Sequence, residues 1–291
     1  MSAGLALCVL GSGSSGNCVA IDAPEGILLL DAGFSPRETR RRMALVGLDP
    51  TRVRAIVLTH PDSDHLHSGW TRVVGGLTGP RLLVRERHAG VVHAMGYERS
   101  WLDTFDGSFD LGGLRFDPFP LPHDALGSTA FRVSLGACAF GHATDLGRPI
   151  PRLLDHMEGV AALCLESNYD PPMQRASGRP PALIARVMGG RGHLANEQAL
   201  AIARELHRRA PLEALVLLHL SRQCNAPGLV DRLYAQEAPE LHARLTITGQ
   251  FEPSPPLRVG ACTRAATLFD ATVAEADTTA ESLTAPPAPT R

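Results

Sequence analysis

The chain has 291 residues, 44% of them hydrophobic, and its formal net charge is −2. This length and apolar content predict one large domain or two small ones with a substantial buried core. The near-zero net charge excludes a global electrostatic attraction to nucleic acid or to an anionic membrane. All 28 basic residues are arginines. Together with the high content of alanine, glycine and proline, this indicates the codon bias of a GC-rich genome.

Cysteine usage and hydropathy favour a reducing, aqueous compartment. The six cysteines are scattered, with no CxxC pair, so no disulfide framework or cysteine-zinc site is predicted. The apolar run at residues 5–10 is too short for a signal peptide and lacks a positive flank. No stretch is long and apolar enough to span a bilayer. We therefore expect a cytoplasmic protein without a membrane partner, and the sequence leaves its oligomeric state open.

In chain order, short apolar segments typical of strands alternate with arginine-rich helical segments, as in an α/β protein. The first three strands are predicted at residues 5–10, 18–21 and 27–30, joined by tight turns. A helix is predicted to begin after Ser35, because this capping serine is followed by Pro36 and then by Glu38. The helix should run to about residue 46 and end at Gly47.

The rest of the chain continues this pattern. Further strands are predicted at residues 53–58, 81–84, 114–118, 130–133, 137–140, 160–166 and 215–218. Helices are predicted at residues 153–157 and 196–209, and residues 244–247 and 257–259 are predicted to form a closing strand pair. After Thr263 apolar residues become sparse. We therefore expect a folded domain over residues 1–263 and a disordered tail over residues 264–291.

Residues 11–16 match the GxGxxG pattern of dinucleotide-binding loops directly after a strand. That function requires a helix to begin at the glycines, whereas residues 17–22 have a strand pattern. A turn between two strands is therefore predicted. Its backbone N–H groups could hold a phosphate oxygen, or the turn could be purely structural. Ser14, Ser15 and Asn17 are the substrate-binding candidates in this segment.

Residues 60–65, His-Pro-Asp-Ser-Asp-His, carry the strongest functional signal. They place four potential metal ligands directly after the apolar strand at residues 53–58, namely His60, Asp62, Asp64 and His65. Imidazole nitrogens and carboxylate oxygens are donors that zinc, manganese and iron accept. Without a partner, so many polar groups at the end of a buried strand would carry a large desolvation cost. The spacing therefore predicts half of a two-metal site.

Further candidate ligands follow other predicted extended segments. Asp31 follows the strand at residues 27–30, and His219 follows the strand at residues 215–218. His123 and Asp145 occupy comparable positions after other extended segments. Each residue alone is more typical of a hydrogen-bonded polar side chain than of a ligand. Together with residues 60–65, they predict a dinuclear metal centre.

These residues, in this order, resemble the motif of the metallo-beta-lactamase superfamily. The resemblance covers about residues 4–260 and implies an αββα sandwich, in which helices flank two mixed β-sheets and the metals lie at one sheet edge. Within the superfamily the chain is most similar to the YycJ/WalJ-type branch, whose members are regarded as exonuclease-like phosphodiesterases related to ribonuclease Z and ribonuclease J. That similarity is carried by residues 11–17 (GSGSSGN), His123-Asp124-Ala125, Thr144-Asp145-x-Gly147, residues 165–170 (LESNYD), residues 192–196 (GHLAN) and His219-Leu220-Ser221-x-x-x-Asn225.

The resemblance also implies roles for the metal ligands. One divalent ion would be held by His60, Asp62 and His123, the other by Asp64, His65 and His219, and Asp145 would bridge the two. The usual superfamily motif is HxHxDH, so Asp62 replaces a histidine. Zinc is the metal implied by the family, whereas the additional hard oxygen donor at Asp62 favours manganese or iron. The third carboxylate should also make a bridging water less acidic. His67 is expected to point away from the metals.

The remaining implied roles concern catalysis and substrate. Catalytic roles are assigned to Asp64, to His193 and to Asp31, which would orient a ligating histidine. His193 would bind or protonate the scissile phosphate; alternatively, it is only a neighbour of the helix at residues 196–209. Asn168, like Glu166, would contact either a metal ligand or the substrate.

The sequence thus predicts a dinuclear metal-dependent hydrolase. The first hypothesis is a phosphodiesterase with nucleic acid as its substrate, in which a metal-held hydroxide attacks the phosphorus. The second is a hydrolase of a small ester, thioester or lactam with the same ligands. The third is a non-catalytic member of the superfamily, altered at Asp62.

Overall fold

The computed structural model describes residues 5–76 and 79–260. Within these ranges the chain forms fourteen strands, which belong to two mixed seven-stranded sheets. The strands are β1 (Leu5–Gly11), β2 (Cys18–Ala23), β3 (Gly26–Leu30), β4 (Val53–Val57), β5 (Arg81–Arg85), β6 (Leu102–Phe105), β7 (Phe109–Leu111), β8 (Leu114–Leu121), β9 (Ser128–Leu135), β10 (Cys138–Ala143), β11 (Ala162–Glu166), β12 (Ala214–Leu218), β13 (Leu245–Ile247) and β14 (Leu257–Val259).

The two sheets pack against each other, and helices cover their outer faces. The strand order is β14-β1-β2-β3-β4-β5-β6 in the first sheet and β13-β12-β11-β10-β9-β8-β7 in the second. The helices are α1 (Pro36–Leu45), α2 (Ala89–Ala94), α3 (Pro151–Met157), α4 (Pro171–Arg175), α5 (Pro181–Met188), α6 (Asn196–Arg209), α7 (Pro227–Glu237) and α8 (Pro239–His242). None of the described helices is long and apolar enough to cross a membrane.

Side chains alternate between the two faces of each strand, so the buried residues form three layers. One layer lies between the sheets, and one lies on the outer face of each sheet. Leu7 and Val9 of β1 face the space between the sheets and pack in one cluster with Phe116 and Phe131 of the second sheet. Cys8, between them in sequence, belongs to the cluster on the outer face of the first sheet. Because successive side chains of a strand point to opposite faces, both faces of β1 are apolar and buried. The chain therefore folds as the αββα sandwich predicted from its sequence.

Most of the predicted elements are confirmed. Ser35 caps α1, since its Oγ accepts a hydrogen bond from the Glu38 N–H at 3.2 Å. Helix α6 has the predicted bounds, Asn196–Arg209. Residues 12–17 connect the antiparallel strands β1 and β2 without a helix, so the turn interpretation of the GxGxxG segment is confirmed. The tail predicted at residues 264–291 lies outside the described residues.

The predicted closing strand pair is wrong. Strand β13 pairs in parallel with β12 in the second sheet, whereas β14 pairs antiparallel with β1 in the first. The connection between them contains Pro253, Pro255 and Pro256. Proline cannot donate to a strand ladder and does not favour a tight hairpin here, so the chain crosses from one sheet to the other.

Candidate metal centre

The predicted site residues follow strands that end at one edge of the sandwich. Strands β3 and β4 are parallel in the first sheet, and β10, β11 and β12 are parallel in the second. Asp31 follows β3, Asp145 lies just after β10, Glu166 ends β11 and His219 follows β12. Since the carboxyl ends of parallel strands lie at the same edge of a sheet, residues that are distant in sequence come together.

The backbone at three of these residues is left-handed. Asp31, Asp145 and His219 have φ angles of 62°, 56° and 56°, a region that side-chain-bearing residues rarely occupy. Such a conformation costs about 1–2 kcal/mol per residue. Each strand thus ends in a sharp reversal that directs a polar side chain into the site. Strain of this kind is concentrated at functional sites in proteins.

Asp31 fixes the orientation of His65. The Asp31 carboxylate is buried and accepts hydrogen bonds from the Thr59 N–H at 2.8 Å and from the Thr59 hydroxyl at 2.9 Å. Its Oδ2 lies 2.7 Å from Nδ1 of His65. Since Nδ1 must donate to the carboxylate, Nε2 is the nitrogen left to face the site. Burial alone would lower the pKa of His65, but the Asp31 and Asp145 carboxylates raise it well above the ordinary value.

The first candidate ligand group consists of His60, Asp62 and His123. Their potential ligand atoms lie within 4.8 Å of one another, and Nε2 of His60 is 3.7 Å from Oδ2 of Asp62. Nδ1 of His123 donates to the Gly192 carbonyl at 3.2 Å, which leaves Nε2 to face the site. The Asp62 side chain is 52% exposed, and the nearby His60 imidazole lowers its pKa. His67 points elsewhere and accepts the Gly69 N–H at 2.9 Å.

The second candidate ligand group consists of Asp64, His65 and His219. Oδ2 of Asp64 lies 3.7 Å from Nε2 of His65 and 3.6 Å from Nε2 of His219. Burial opposes ionisation of Asp64, but the nearby imidazoles of His219 and His65 produce a net lowering of its pKa. This carboxylate is therefore available in its ionised form.

Asp145 lies between the two groups. Its Oδ2 is 3.1 Å from Nε2 of His65, and its Oδ1 is 3.8 Å from Nε2 of His123. The carboxylate is almost fully buried and also accepts a hydrogen bond from the Thr144 hydroxyl. Burial alone would raise the pKa of Asp145, but the charges of His219 and His65 outweigh it and hold the pKa well below the usual range.

A third cluster adjoins the two groups. It consists of Asp145, Glu166, His193 and His219. Glu166 is fully buried, and its Oε2 accepts the backbone N–H groups of Leu146 and Leu194 at 2.8 and 3.3 Å. Its Oε1 lies 2.6 Å from Nδ1 of His193. Although burial raises the pKa of Glu166, the charge and hydrogen bond of His193 lower it overall.

From the sequence, Glu166 was expected to contact either a metal ligand or the substrate. The signal was the position of an acid at the end of an otherwise apolar strand, which is also the position that Asp31 occupies after β3. What the sequence could not show is that one carboxylate contacts two backbone N–H groups and a histidine from a separate segment.

The donor set fits divalent cations. Two ligands about 2.0–2.3 Å from one ion can be at most about 4.6 Å apart, which is close to the 4.8 Å limit within which each group lies. His219 supplies a second indication. Its buried Nδ1 lies 3.2 Å from Oε1 of Glu166 but makes no hydrogen bond with any described residue. Buried carboxylates and incompletely bonded imidazoles at one point are the chemistry of a metal site.

The predicted substrate-binding residues are placed differently from one another. Ser14 and Ser15 are exposed on the turn between β1 and β2. Asn17 is buried, and its amide nitrogen lies 3.1 Å from Nε2 of His65. Asn168 is also buried and donates to the carbonyl of His219 at 2.7 Å. Both asparagines thus contact residues of the candidate ligand groups, and their role in substrate binding stays a prediction.

Comparison with known proteins identifies the class. A family model described as "Beta-lactamase superfamily domain" matches residues 27–220, and the chain belongs to this superfamily as one of its metallo-beta-lactamase-fold members. A structure of the metallo-beta-lactamase fold protein YhfI from Bacillus subtilis superposes with a TM-score of 0.65 at 15% identity, over 89% of this chain and all of that one. A diphosphatase from the PhnP family superposes with a TM-score of 0.62 at 17% identity, over 89% of this chain and 99% of that one.

Among curated proteins, the chain is similar to members of the YycJ/WalJ branch. It is 28% identical over 232 residues to the exodeoxyribonuclease WalJ of Streptococcus pneumoniae serotype 2 (strain D39 / NCTC 7466), covering 76% of this chain and 83% of that protein. It is 27% identical over 237 residues to the exodeoxyribonuclease YycJ of Bacillus anthracis, covering 80% of this chain and 89% of that protein. The chain is therefore a YycJ/WalJ-like metallo-hydrolase, and its fold implies divalent metal ions.

Proposed function

We propose that this protein is a metal-dependent phosphodiesterase that degrades DNA as an exonuclease, using two divalent ions. The observation that carries the proposal is the position of Asp145, a buried carboxylate whose two oxygens face histidines of both candidate ligand groups. A carboxylate that bridged two ions would use both oxygens in this way. The curated relatives are named exodeoxyribonucleases, which supports DNA as the substrate class.

The protein's own residues prepare the ligands for this chemistry. The chemistry that the ions supply when bound is Lewis-acid activation of the phosphodiester and of water. His60, Asp62 and His123 would hold one ion, Asp64, His65 and His219 the other, and Asp145 both. Asp31 and the Gly192 carbonyl hold the protons of His65 and His123 on Nδ1. Each histidine thereby presents Nε2, and its basicity is raised by the partner of Nδ1.

His193 is positioned for proton transfer. Glu166 accepts the Nδ1 proton of His193 at 2.6 Å, so Nε2 is the nitrogen that would exchange a proton with substrate. The His193 side chain is 22% exposed, whereas Glu166 is fully buried. A partly exposed imidazole backed by a buried carboxylate suits general acid catalysis. We assign to His193 the donation of a proton to the departing sugar oxygen.

The test combines metal content with substrate class. The purified protein, loaded with zinc or with manganese, is assayed for bound metal, for hydrolysis of bis-p-nitrophenyl phosphate and for digestion of end-labelled DNA. We expect about two ions per chain and hydrolysis of both phosphodiesters. Asp145→Asn should lose metal and activity together, because an amide cannot replace a bridging carboxylate.

Two results would support the alternatives. Hydrolysis of p-nitrophenyl acetate or of a lactam, with no hydrolysis of either phosphodiester, would indicate a small-ester or lactam hydrolase. A protein that binds no metal after loading with either ion would be a non-catalytic member of the superfamily.

A further inference from the structure

A groove of about 560 Å³ is lined by residues of the two segments that carry His123 and Asp145. Its walls include Pro118, Phe119, Pro120, Pro122, Arg148 and Arg152. We propose that this groove binds the single-stranded DNA that leads into the metal centre, with the two arginines on backbone phosphates and the proline and phenylalanine rings under the bases. This proposal rests on the proposed function. It specifies where the DNA strand is bound and which residues bind it.

The groove lining lies close in the chain to two predicted ligands. Pro122 directly precedes His123, so their Cα atoms are about 3.8 Å apart. Arg148 follows Asp145 by three residues, so their Cα atoms are at most about 11 Å apart. That span corresponds to roughly three stacked nucleotides at about 3.4 Å each. A strand whose terminal phosphodiester lies at the ligands can therefore reach these side chains within about three nucleotides.

The backbone of Arg148 is held in place by close packing. A Cβ atom on the preceding Gly147 would lie 2.4 Å from the carbonyl carbon of Gly190, so the two segments are in direct contact. The neighbouring Arg191 carbonyl accepts the Asp124 N–H at 3.4 Å. These contacts join the groove to the segments that carry His123 and His193.

Arg148 and Arg152 have no acidic partner among the described residues. Arg148 and Arg152 are exposed, and neither forms an ion pair with a described residue. By contrast, Arg186 on α5 pairs with Asp124. The described residues that line the groove include no acid. Two unneutralised guanidinium groups in a chain of net charge −2 therefore form a local site for phosphates.

The prolines argue against a peptide strand as the occupant. Strand β7 pairs with β8 only as far as Phe116, so the outer edge of β8 is open beyond that residue. Proline has no N–H and is confined to the edge-facing side of a strand. Pro118 and Pro120 therefore offer no donors to an added strand, whereas their rings are apolar and Phe119 offers an aromatic face. Bases stack on aromatic side chains with little sequence preference.

Phe119 is held as a fixed surface. Its ring lies 5.3 Å from the ring of His156, whose Nε2 donates to the Asp117 carbonyl at 3.0 Å. Phe119 also packs on the core of the second sheet. A half-buried aromatic ring restrained on two sides loses little conformational entropy when a base stacks on it.

The experiment measures DNA binding separately from cleavage. Binding of a fluorescein-labelled, cleavage-resistant phosphorothioate single-stranded DNA oligonucleotide to metal-loaded full-length protein is followed by anisotropy over a range of salt concentrations. The variants are Arg148→Gln, Arg152→Gln, the double variant and the control Arg232→Gln. Arg232 is exposed on α7, outside the groove, so its variant removes the same charge elsewhere.

We expect each groove variant to weaken DNA binding several-fold. Each should also make the negative slope of log association constant against log salt concentration shallower by about 0.7. This is the contribution of one phosphate contact on a single strand. The control variant should retain wild-type affinity and slope. Metal content and the kcat/KM for bis-p-nitrophenyl phosphate, which has no second backbone phosphate for the arginines to bind, should be unchanged in every variant.

Three results would overturn the proposal. One is equal affinity and salt slope in the groove variants and the control. Another is a wild-type protein that binds no single-stranded DNA. A third is binding of a labelled polyglutamate peptide, but not of DNA, through Arg148 and Arg152, which would assign the groove to an acidic protein partner. The hydrolysis assays test the proposed function separately. If the proposed function is wrong, metal-loaded wild-type protein will leave bis-p-nitrophenyl phosphate and DNA intact.

Discussion

Nδ1 of His65 lies 2.7 Å from Oδ2 of Asp31, although 34 positions separate the two residues in the chain. The carboxylate is held on its other side by Thr59, the residue that immediately precedes His60. One buried acid therefore connects the end of β3 to both ends of the His60–His65 segment. Any change at Asp31 should act on metal binding through His65.

Asp31→Asn should weaken metal binding about 10–100-fold, as is typical when the partner of a ligating histidine is altered. The amide can still accept the Nδ1 proton, so the fold should persist, but it carries no charge to raise the basicity of His65. Competition with a fluorescent chelator measures the affinity. Asp103→Asn, which removes a surface ion pair with Arg81, is the matched control. Equal affinities in both variants would show that Asp31 does not act through the metals.

Asp62 should determine which metal is preferred. Asp62→His should retain both ions but shift preference towards zinc, because imidazole is the softer donor. Asp62→Ala should lose one ion and most of the activity, while its half-exposed position lets the fold tolerate the change. Wild type and variants are loaded from an equimolar zinc and manganese mixture. Elemental analysis then measures both the number of ions per chain and the ratio of zinc to manganese. Equal metal content in wild type and Asp62→Ala would mean that Asp62 is not a ligand.

His193→Ala should affect substrates according to their leaving group. If His193 protonates the departing oxygen, DNA hydrolysis should fall about 10²–10⁴-fold, the usual contribution of general acid catalysis. Bis-p-nitrophenyl phosphate should be much less affected, since p-nitrophenolate departs without a proton. The two kcat values are compared at constant metal occupancy. An equal loss on both substrates would instead place His193 in substrate or metal binding.

His88 should make stability depend on pH. Its side chain is 1% exposed, and burial lowers its pKa from 6.5 to about 4. Its Nε2 donates to the Gly127 carbonyl at 3.0 Å. Between pH 6.5 and 4 the unfolded chain binds a proton that the folded protein does not, so this residue decreases stability as pH falls through that window.

The variant His88→Gln keeps a donor for Gly127 but does not titrate. Its free energy of unfolding should fall less between pH 6.5 and 4 than that of wild type, by up to about 3 kcal/mol. Urea unfolding of metal-free protein at a series of pH values measures this difference. His156→Gln, at a histidine that also donates to a backbone carbonyl, is the control. Parallel stability curves for wild type and His88→Gln would contradict the argument.

Sequence patterns were sufficient to predict much of the fold and the positions of the candidate ligands in the chain. Apolar strand runs that end abruptly in an acid or histidine, as at Asp31 and His219, predict polar side chains at a sheet edge. The left-handed backbone at these residues could not be read from the sequence, because it is rare for residues other than glycine. The contacts of Glu166 with Leu146 and Leu194 likewise depend on packing of distant segments.

Other elements were missed because their local patterns are weak. Helices α4, α5, α7 and α8 all begin at proline, which in sequence resembles a loop as much as a first helical turn. The assignment of β13 and β14 to different sheets depends on the long-range partners β12 and β1, about which a short apolar run carries no information. Segment type was thus more predictable than strand pairing.

The candidate ligands come in nearly equal numbers from the two halves of the sandwich. His60, Asp62, Asp64 and His65 follow β4 of the first sheet, whereas His123, Asp145 and His219 follow strands of the second. Bound ions would therefore act as cross-links between sheets that otherwise adhere through an apolar interface. Separating the sheets would require release of both ions, so metal binding and global unfolding should be thermodynamically linked. Chelation should then lower the melting temperature of the whole domain and increase hydrogen exchange in both sheets, rather than loosen only the loops at the site.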